Sequence, residues 1–177
     1  FDPDSASLAT DKTTSDGLRY TVESALPRLT AQELAGAPGS VPPDVAQRYL
    51  DLPPGMSERV VREAGRVVGA EISPYRRAKA LQDWFRENFR YNLAVPAGHD
   101  GNAMEQFLQT RQGYCEQFAG TYAAMARSLG LPSRVAVGFT AGTADANGRW
   151  RVTGKEAHAW PEDYLSGYGR VACEPTP

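Results

Sequence analysis

The sequence predicts an α+β protein in which helices lead the chain and an antiparallel sheet follows. Between residues 57 and 132, apolar residues recur at steps of three and four, the spacing that a buried helix face requires. Between residues 134 and 174, short runs rich in β-branched and aromatic residues are separated by turn signals such as Asn147-Gly148. Consecutive hairpins make such a sheet antiparallel, and helices followed by strands define the α+β class.

The chain is predicted to form a single domain with two parts. At 177 residues it is long enough for one hydrophobic core. Turn-rich connectors end at Pro53-Pro54-Gly55, so residues 1–55 are expected to be an N-terminal extension that packs on a core of residues 56–177.

Within the extension, one strand and one short helix are expected. Residues 1–16 are rich in Asp, Ser and Thr and show no periodicity, which indicates a loose lead-in. Residues 18–26 alternate in character and favour a strand. Residues 29–34 favour a helix, because Thr30 and Glu33 have the spacing of a capping box.

Two longer amphipathic helices begin the predicted core. Ser57 caps a helix from Glu58 to about Ala70, and Ser73-Pro74 begins the next one. A tryptophan and two phenylalanines at helical spacing are more typical of a core than of a cofactor site. The residues predicted to face inward are Val60, Val61, Ala64, Val67, Val68, Ala78, Leu81, Trp84, Phe85 and Phe89.

A short extended piece at residues 90–93, a loop at 95–101 and a helix at 103–110 are predicted next. His99 lies in this loop and is interpreted as a solvated side chain. The two histidines of the chain are far apart and no cysteines cluster, so neither a metal site nor another cofactor is expected.

Residues 113–132 predict a central helix with Cys115 in its first turn. Gly130 and Pro132 end it. The unpaired N–H groups at a helix N-terminus favour a thiolate, the nucleophilic form of cysteine. A lone cysteine on an apolar helix is also commonly a small buried hydrophobe, so its position alone fits either interpretation. The apolar face of this helix consists of Phe118, Tyr122, Met125, Ala126 and Leu129.

Four strands are expected after this helix. Pro161 gives no N–H to a ladder, so its strand is predicted to lie at a sheet edge or to bulge there. Side chains alternate along a strand, so if Glu174 faces His158, Cys173 points to the other side and is a core residue rather than a disulfide partner of Cys115. The predicted strands are 134–140, 150–153, 158–164 and 170–174.

The order Cys115, His158, Glu174 makes a catalytic triad possible, with a nucleophile, a base and an orienting carboxylate. At these residues the sequence resembles the transglutaminase-like superfamily, whose members use a Cys-His-Asp/Glu triad on a papain-like core. Several motifs in order, from about Tyr49 to the end, are much harder to obtain by chance than one. The matching segments are Phe107-Leu108, Gly113-Tyr114-Cys115-Glu116-Gln117-Phe118-Ala119, Ala126-Arg127-Ser128-Leu129-Gly130-Leu131-Pro132-Ser133-Arg134-Val135, Gly138-Phe139, His158-Ala159-Trp160 and Glu174-Pro175-Thr176-Pro177.

The resemblance implies a papain-like α+β core, in which the helix with the nucleophilic cysteine at its N-terminus packs on an antiparallel sheet carrying the histidine and the glutamate. It also implies that Cys115 attacks a glutamine side-chain amide and forms a thioester, which an amine converts to a cross-link and water to a deamidated or cleaved product. A papain-like protease or amidase with the same triad is an alternative. A second alternative is a non-catalytic domain that binds a partner or a peptidoglycan-like polymer.

In this triad, His158 is expected to take the thiol proton and Glu174 to orient the imidazole ring. Aspartate is more frequent than glutamate at the last position in the family. Glu162 and Asp163 are alternative orienters, and otherwise solvated strand carboxylates. The backbone N–H of Cys115 is the expected first oxyanion donor. The candidates for the second donor are Gln109, Gln112 and Trp84.

The composition bears on partners and location. A formal charge of −2 gives no reason to expect nucleic acid or an anionic membrane as a partner, which leaves a protein or peptide substrate. No stretch reaches the roughly 18–20 apolar residues of a transmembrane helix, and the chain begins at Phe1 without a signal peptide. The resemblance is strongest to extracytoplasmic domains of bacterial multi-pass membrane proteins. It therefore implies an extracytoplasmic location at the cell membrane, with membrane spans in the full-length protein.

Overall fold

The structure is a computed structural model that describes residues 17–98, apart from residues 24 and 26, and residues 101–177. Its helices precede its main sheet along the chain, as the α+β prediction requires. The helices are α1 (Ala31–Ala35), α2 (Pro43–Tyr49), α3 (Glu58–Val68), α4 (Pro74–Asn88), α5 (Gly101–Thr110) and α6 (Cys115–Ser128).

The strand predicted at residues 18–26 is wrong for the described part of that segment. Its described residues form no strand, and Leu18, Tyr20 and Val22 are exposed. Alternation of side chains marks one apolar face, but a strand also needs a neighbour whose backbone groups complete the ladder. Residues 1–16 and His99 lie outside the described residues, so the predictions made for them stay predictions.

The short helix α1 begins with the predicted capping box. Glu33 N donates to Thr30 Oγ1 over 3.2 Å, and Thr30 N donates to Glu33 Oε2 over 2.7 Å. Helix α2 was not predicted, because its proline-rich start was interpreted as a connector. Proline also suits the first helical position, where its missing N–H costs nothing, and Pro43 occupies that position.

Helices α3 and α4 supply much of the core. Ser57 Oγ accepts from Arg59 N over 3.1 Å and caps α3. Ser73 precedes α4 as predicted, but its hydroxyl donates to Ala35 O over 3.2 Å instead of capping the helix. Val61 is exposed, and Val67 packs partly buried beside the inner face of α3. That face consists of Val60, Ala64 and Val68.

Helix α6 lies at the centre of the core and packs against α3, α4 and the sheet. Phe118, Tyr122 and Met125 are fully buried on it. Phe118 meets Phe107 of α5 edge to face, with ring centroids 4.9 Å apart. Gly130 follows the helix with a φ of 77°, the left-handed conformation expected for its cap.

The main sheet is antiparallel and has the order β3-β6-β7, with β6 in the centre. Strands β1 and β2 form a separate parallel pair, and β4 and β5 form a hairpin closed by the predicted Asn147-Gly148 turn. The strands are β1 (Arg90–Tyr91), β2 (Gln112–Gly113), β3 (Ser133–Phe139), β4 (Thr143–Ala144), β5 (Trp150–Arg151), β6 (Ala157–Leu165) and β7 (Gly169–Ala172).

Pro161 lies in the central strand β6, so its prediction as an edge or bulged residue is wrong. It pairs with Val135 on the β3 side. On the other side Cys173 N donates to Pro161 O over 2.9 Å. The two residues of such a pair normally exchange two hydrogen bonds, and Pro161 cannot return the second. Its missing N–H therefore coincides with the end of β7, which stops at Ala172, before Glu174.

Candidate active site

Cys115 is the first residue of α6, and Tyr114 before it makes no side-chain cap. The first N–H groups of a helix have no partner within the helix, so they point to any group that lies beyond its N-terminus. Cys115 and Cys173 are both free thiols, in agreement with the prediction that they are not bridged. The sequence therefore places a free thiol at the positive end of the central helix.

His158 and Glu174 meet on the face of the sheet opposite to Asp163 and Tyr122, which is called the outer face here. Among the described residues, no hydrogen bond joins either side chain to Cys115. His158 Nε2 lies 2.7 Å from Glu174 Oε2, and the two side chains are 16% and 44% exposed. A neutral imidazole that donates from Nε2 to the carboxylate keeps Nδ1 unprotonated, so Nδ1 is the nitrogen able to accept a proton.

Glu174 is held in place by bonds at both of its ends. Its backbone N donates to Gln82 Oε1 over 2.8 Å, and its Oε1 accepts from Thr176 N over 3.0 Å. The remaining oxygen, Oε2, is the one that faces His158. Because β7 has already ended, these contacts replace the sheet in fixing the carboxylate.

Trp160 lies beside His158 on the same face of β6. The two rings are nearly parallel, with an angle of 21° and centroids 6.1 Å apart. Gly138 is paired with His158 across β3, and a Cβ on it would lie 3.0 Å from the indole of Trp160. The glycine therefore leaves room for the indole, which in turn limits how far the imidazole can rotate.

The three candidates for the second oxyanion donor have other surroundings. Gln109 is exposed on α5. Gln112 Oε1 accepts from Asn92 Nδ2 over 3.0 Å. Trp84 packs edge to face on Phe85, with centroids 4.9 Å apart. Among the described residues, none of these three side chains hydrogen-bonds to Cys115.

Tyr91 was not predicted as a functional residue, yet its hydroxyl lies beside both the thiol and the backbone of Cys115. Burial and the nearby Cys115 thiol raise the pKa of Tyr91, so the phenol keeps its proton at neutral pH. Its strand is two residues long, too short for a periodic pattern. The one available signal was its position just after a long helix, because helix α5 separates it from the cysteine segment along the chain.

A family model described as the transglutaminase-like superfamily matches residues 62–175. The chain belongs to this superfamily. YebA, an uncharacterized protein of Bacillus subtilis, is 33% identical over 141 residues, which cover 74% of this chain and 19% of YebA. A Pseudomonas aeruginosa protein named protein-glutamine gamma-glutamyltransferase is 33% identical over 141 residues, covering 77% of this chain and 21% of that protein. The chain thus spans about a fifth of the length of these curated relatives.

Solved structures share the transglutaminase-like fold. The periplasmic domain of TgpA from Pseudomonas aeruginosa matches with a TM-score of 0.68 at 31% identity, covering 77% of this chain and 48% of that chain. A crystal structure from Cytophaga hutchinsonii matches with a TM-score of 0.61 at 22% identity, covering 82% of this chain and 46% of that chain. These likenesses confirm the papain-like α+β core that the sequence predicts.

Two further findings on the described residues of this transglutaminase-like chain concern membrane spans and metal ligands. No helix among them is both long enough and apolar enough to cross a membrane. Their His, Cys, Asp and Glu side chains form no group of three that could hold a metal ion.

The two alternative orienters, Glu162 and Asp163, have partners other than His158. Glu162 Oε2 accepts from Arg134 Nε over 2.8 Å and lies 2.7 Å from Arg134 Nη2. Asp163 points to the opposite face of the sheet, where it is 1% exposed and its Oδ2 lies 2.7 Å from the Tyr122 hydroxyl. The interpretation of Asp163 as a solvated carboxylate is therefore wrong, and burial raises its pKa.

Proposed function

We propose that this chain is a thiol acyltransferase that acts on glutamine side-chain amides through a thioester on Cys115. The observation that carries the proposal is the 2.7 Å contact between His158 Nε2 and Glu174 Oε2, on the sheet against which the cysteine helix packs. This contact leaves Nδ1 of the imidazole as the proton acceptor, which is what activation of a thiol requires.

The first half of the reaction forms the thioester. The thiol proton of Cys115 passes to His158 Nδ1, and the thiolate attacks the amide carbon of the substrate. A C–S bond forms while the carbonyl electron pair moves onto oxygen. When the tetrahedral intermediate collapses, the C–N bond breaks and ammonia leaves with the proton that His158 held.

The second half transfers the acyl group. His158 takes a proton from an incoming amine, which attacks the thioester carbon, and the C–S bond breaks to regenerate the Cys115 thiol. With an amine the product is an isopeptide cross-link, and with water it is glutamate. Throughout, the charge of Glu174 stabilises the imidazolium that forms on His158.

The names of two relatives support the substrate class and the location. The relative named protein-glutamine gamma-glutamyltransferase shares 33% identity over the matched region. The TgpA domain, at 31% identity, is periplasmic. We extend both properties to this chain, as an extracytoplasmic domain of a longer membrane protein whose substrate is a protein or peptide.

The test is to incubate the chain with a glutamine-rich protein and a fluorescent primary alkylamine, and to follow amine incorporation and ammonia release together. Cys115→Ala should abolish both signals. Cys173→Ser is the matched control, because it removes the other thiol, and it should retain them.

Each other outcome contradicts the proposal in a distinct way. Ammonia release without amine incorporation identifies a glutamine deamidase, and new peptide N-termini identify a protease. The absence of all three signals, with Cys115 unreactive towards iodoacetamide, identifies a non-catalytic binding domain.

A further inference from the structure

The pairing of β1 with β2 fixes Tyr91 beside the start of the cysteine helix. Tyr91 is in register with Gly113, two residues before Cys115. Asn92 N donates to Gly113 O over 2.7 Å, and Arg90 N donates to Arg111 O over 2.9 Å. These backbone bonds hold the position of Tyr91 independently of its side chain.

The approach of the two segments is close, because Gly113 has no side chain. A Cβ on Gly113 would lie 2.6 Å from Gln117 Oε1 and 2.7 Å from the ring of Phe107. Gly113 thus allows the chain to pass between α5 and α6 and to start the helix next to β1. Tyr91 consequently meets Cys115 at the end of α6 where the unpaired N–H groups lie.

The donor and acceptor types of the groups determine which of them supplies each hydrogen between Tyr91 and Cys115. The Tyr91 hydroxyl lies beside the backbone N–H and the thiol of Cys115, as the register of Tyr91 with Gly113 allows. The backbone N–H of Cys115 can only donate, so the phenol oxygen is the acceptor available to it. The single hydroxyl hydrogen is then available to donate to Sγ, which it does most strongly when the sulfur is a thiolate.

The phenol oxygen therefore lies where an acyl substrate would develop negative charge. In the tetrahedral intermediate, the oxyanion is attached to the carbon that bonds Sγ, and it accepts from the backbone N–H of Cys115. Both of these neighbours now contact the Tyr91 hydroxyl. Tyr91 is 47% exposed, so its ring has open space on one side into which it can turn.

We infer that Tyr91 is a catalytic residue: its hydroxyl donates to the Cys115 thiolate in the free protein, and then to the oxyanion beside the Cys115 N–H. This inference rests on the proposed function for its acyl-transfer step. Tyr91 is then the second oxyanion donor. The three candidates from the sequence, Gln109, Gln112 and Trp84, form no hydrogen bond with Cys115. The hydrogen bond strengthens as charge moves from sulfur to oxygen, so it stabilises the transition state more than the bound substrate.

The test uses Tyr91→Phe, which removes the hydroxyl and keeps the ring. We expect kcat/KM for amine incorporation to fall about 10- to 1000-fold, mostly in kcat. Alkylation of Cys115 by iodoacetamide forms no oxyanion, so its rate should change less than about threefold. Tyr168→Phe, a half-buried tyrosine in the β6–β7 turn, is the matched control and should change neither rate.

A second measurement needs no turnover and so tests Tyr91 apart from the proposed function. A short acyl-chain aldehyde forms a hemithioacetal on Cys115, and its oxygen occupies the oxyanion position. The dissociation constant is read from protection of Cys115 against iodoacetamide, and Tyr91→Phe should raise it about tenfold or more.

Three results would overturn the inference. Unchanged turnover and aldehyde affinity would make the contact incidental. Faster turnover or tighter aldehyde binding in Tyr91→Phe would show that Tyr91 blocks substrate access to Cys115. An equal loss of the turnover rate and of the alkylation rate would show that Tyr91 affects the reactivity of the Cys115 thiolate or the local structure, and not the oxyanion. A wild-type protein that binds the aldehyde through Tyr91 but transfers no acyl group would instead count against the proposed function alone.

Discussion

Asp163 lies in the central strand of the main sheet and Glu174 lies just beyond the end of its last strand, and their side chains are on opposite faces of the sheet. The side chain of Glu174 is 44% exposed and contacts His158, whereas Asp163 is 1% exposed and contacts Tyr122. A solvated carboxylate remains charged and can stabilise an imidazolium, while a buried one is favoured in its neutral form. The two residues are of the same chemical type. The face of the sheet on which a carboxyl group lies therefore decides whether it can stabilise an imidazolium or is buried in the core.

The hydrogens around Asp163 support its neutral form. The Tyr122 oxygen lies 3.0 Å from Ala78 O and 2.7 Å from Asp163 Oδ2, but a hydroxyl has a single hydrogen. If Tyr122 donates to the carbonyl, the contact with Asp163 needs a proton on the carboxyl group, which then donates to Tyr122. Burial raises the pKa of Asp163, which favours the arrangement in which the carboxyl group carries that proton.

The largest effect on activity is expected from a substitution on the outer face of the sheet that leaves the inner face unchanged. His158→Ala should lower amine incorporation about 1000-fold or more, because the thiol loses its base. The free energy of unfolding should fall by about 1 kcal/mol, because the largely buried imidazole also loses its contacts with Glu174 and Trp160. Activity assays and urea unfolding check both parts, with Asp163→Asn as the control that retains activity. Activity above a tenth of wild type would contradict the base assignment.

Glu174→Gln should have the next largest effect. The amide oxygen can still accept from His158 Nε2, but the charge that stabilises the imidazolium is lost, so kcat should fall about 100-fold. Glu162→Gln is the matched control, because its carboxylate pairs with Arg134 and should not affect kcat by more than about threefold. Similar losses in the two variants would remove the distinction between these carboxylates.

On the inner face, the expected effect is on stability and depends on pH. The unfolded Asp163 loses its proton near pH 3.9, while its raised pKa lets the folded chain keep the proton to higher pH. Stability should therefore fall as pH rises through that window, by up to about 1.4 kcal/mol per pH unit, and Asp163→Asn should remove this slope.

Urea unfolding of the wild type and of Asp163→Asn from pH 4 to pH 7 measures this difference. Glu174→Gln serves as the outer-face control and should keep the wild-type slope. A stability difference between wild type and Asp163→Asn that stays constant or grows with pH would show that Asp163 is charged in the folded chain.

The smallest expected effect concerns Trp160. Trp160→Ala removes the ring beside His158 and should lower kcat about three- to tenfold while KM changes little, because the imidazole is oriented less well. Trp160→Phe should restore most of the loss. A change confined to the free energy of unfolding, with kcat unaffected, would assign Trp160 to packing alone.

The sequence was most informative where its signals are local. The capping box at Thr30, the inner face of α3 and the glycine that ends α6 all follow from spacing within a few residues. Strand alternation likewise places His158 on the face of β6 opposite to Asp163, whereas Glu174 lies beyond the end of β7 and is positioned by its own contacts.

The features that sequence could not supply depend on pairing between distant segments. Tyr91 reaches Cys115 through a two-residue parallel pair, for which no periodic pattern exists. Asp163 follows the same alternation as its neighbours, but its burial depends on Tyr122, which lies far from it in the chain. Residues 18–23 have the alternation of a strand and lack a partner.

Pro161 has a consequence for how this site can change during evolution. Its missing N–H ends the ladder at Cys173, and the next bonded pair would join Ala159 to Pro175, which also has no N–H to give. Two imino acids thus free the Glu174 carboxylate from the rigid spacing of the sheet. A shorter or longer carboxylate side chain at position 174 can therefore be accommodated by a shift of the short segment after β7, and β6, which carries His158, need not move.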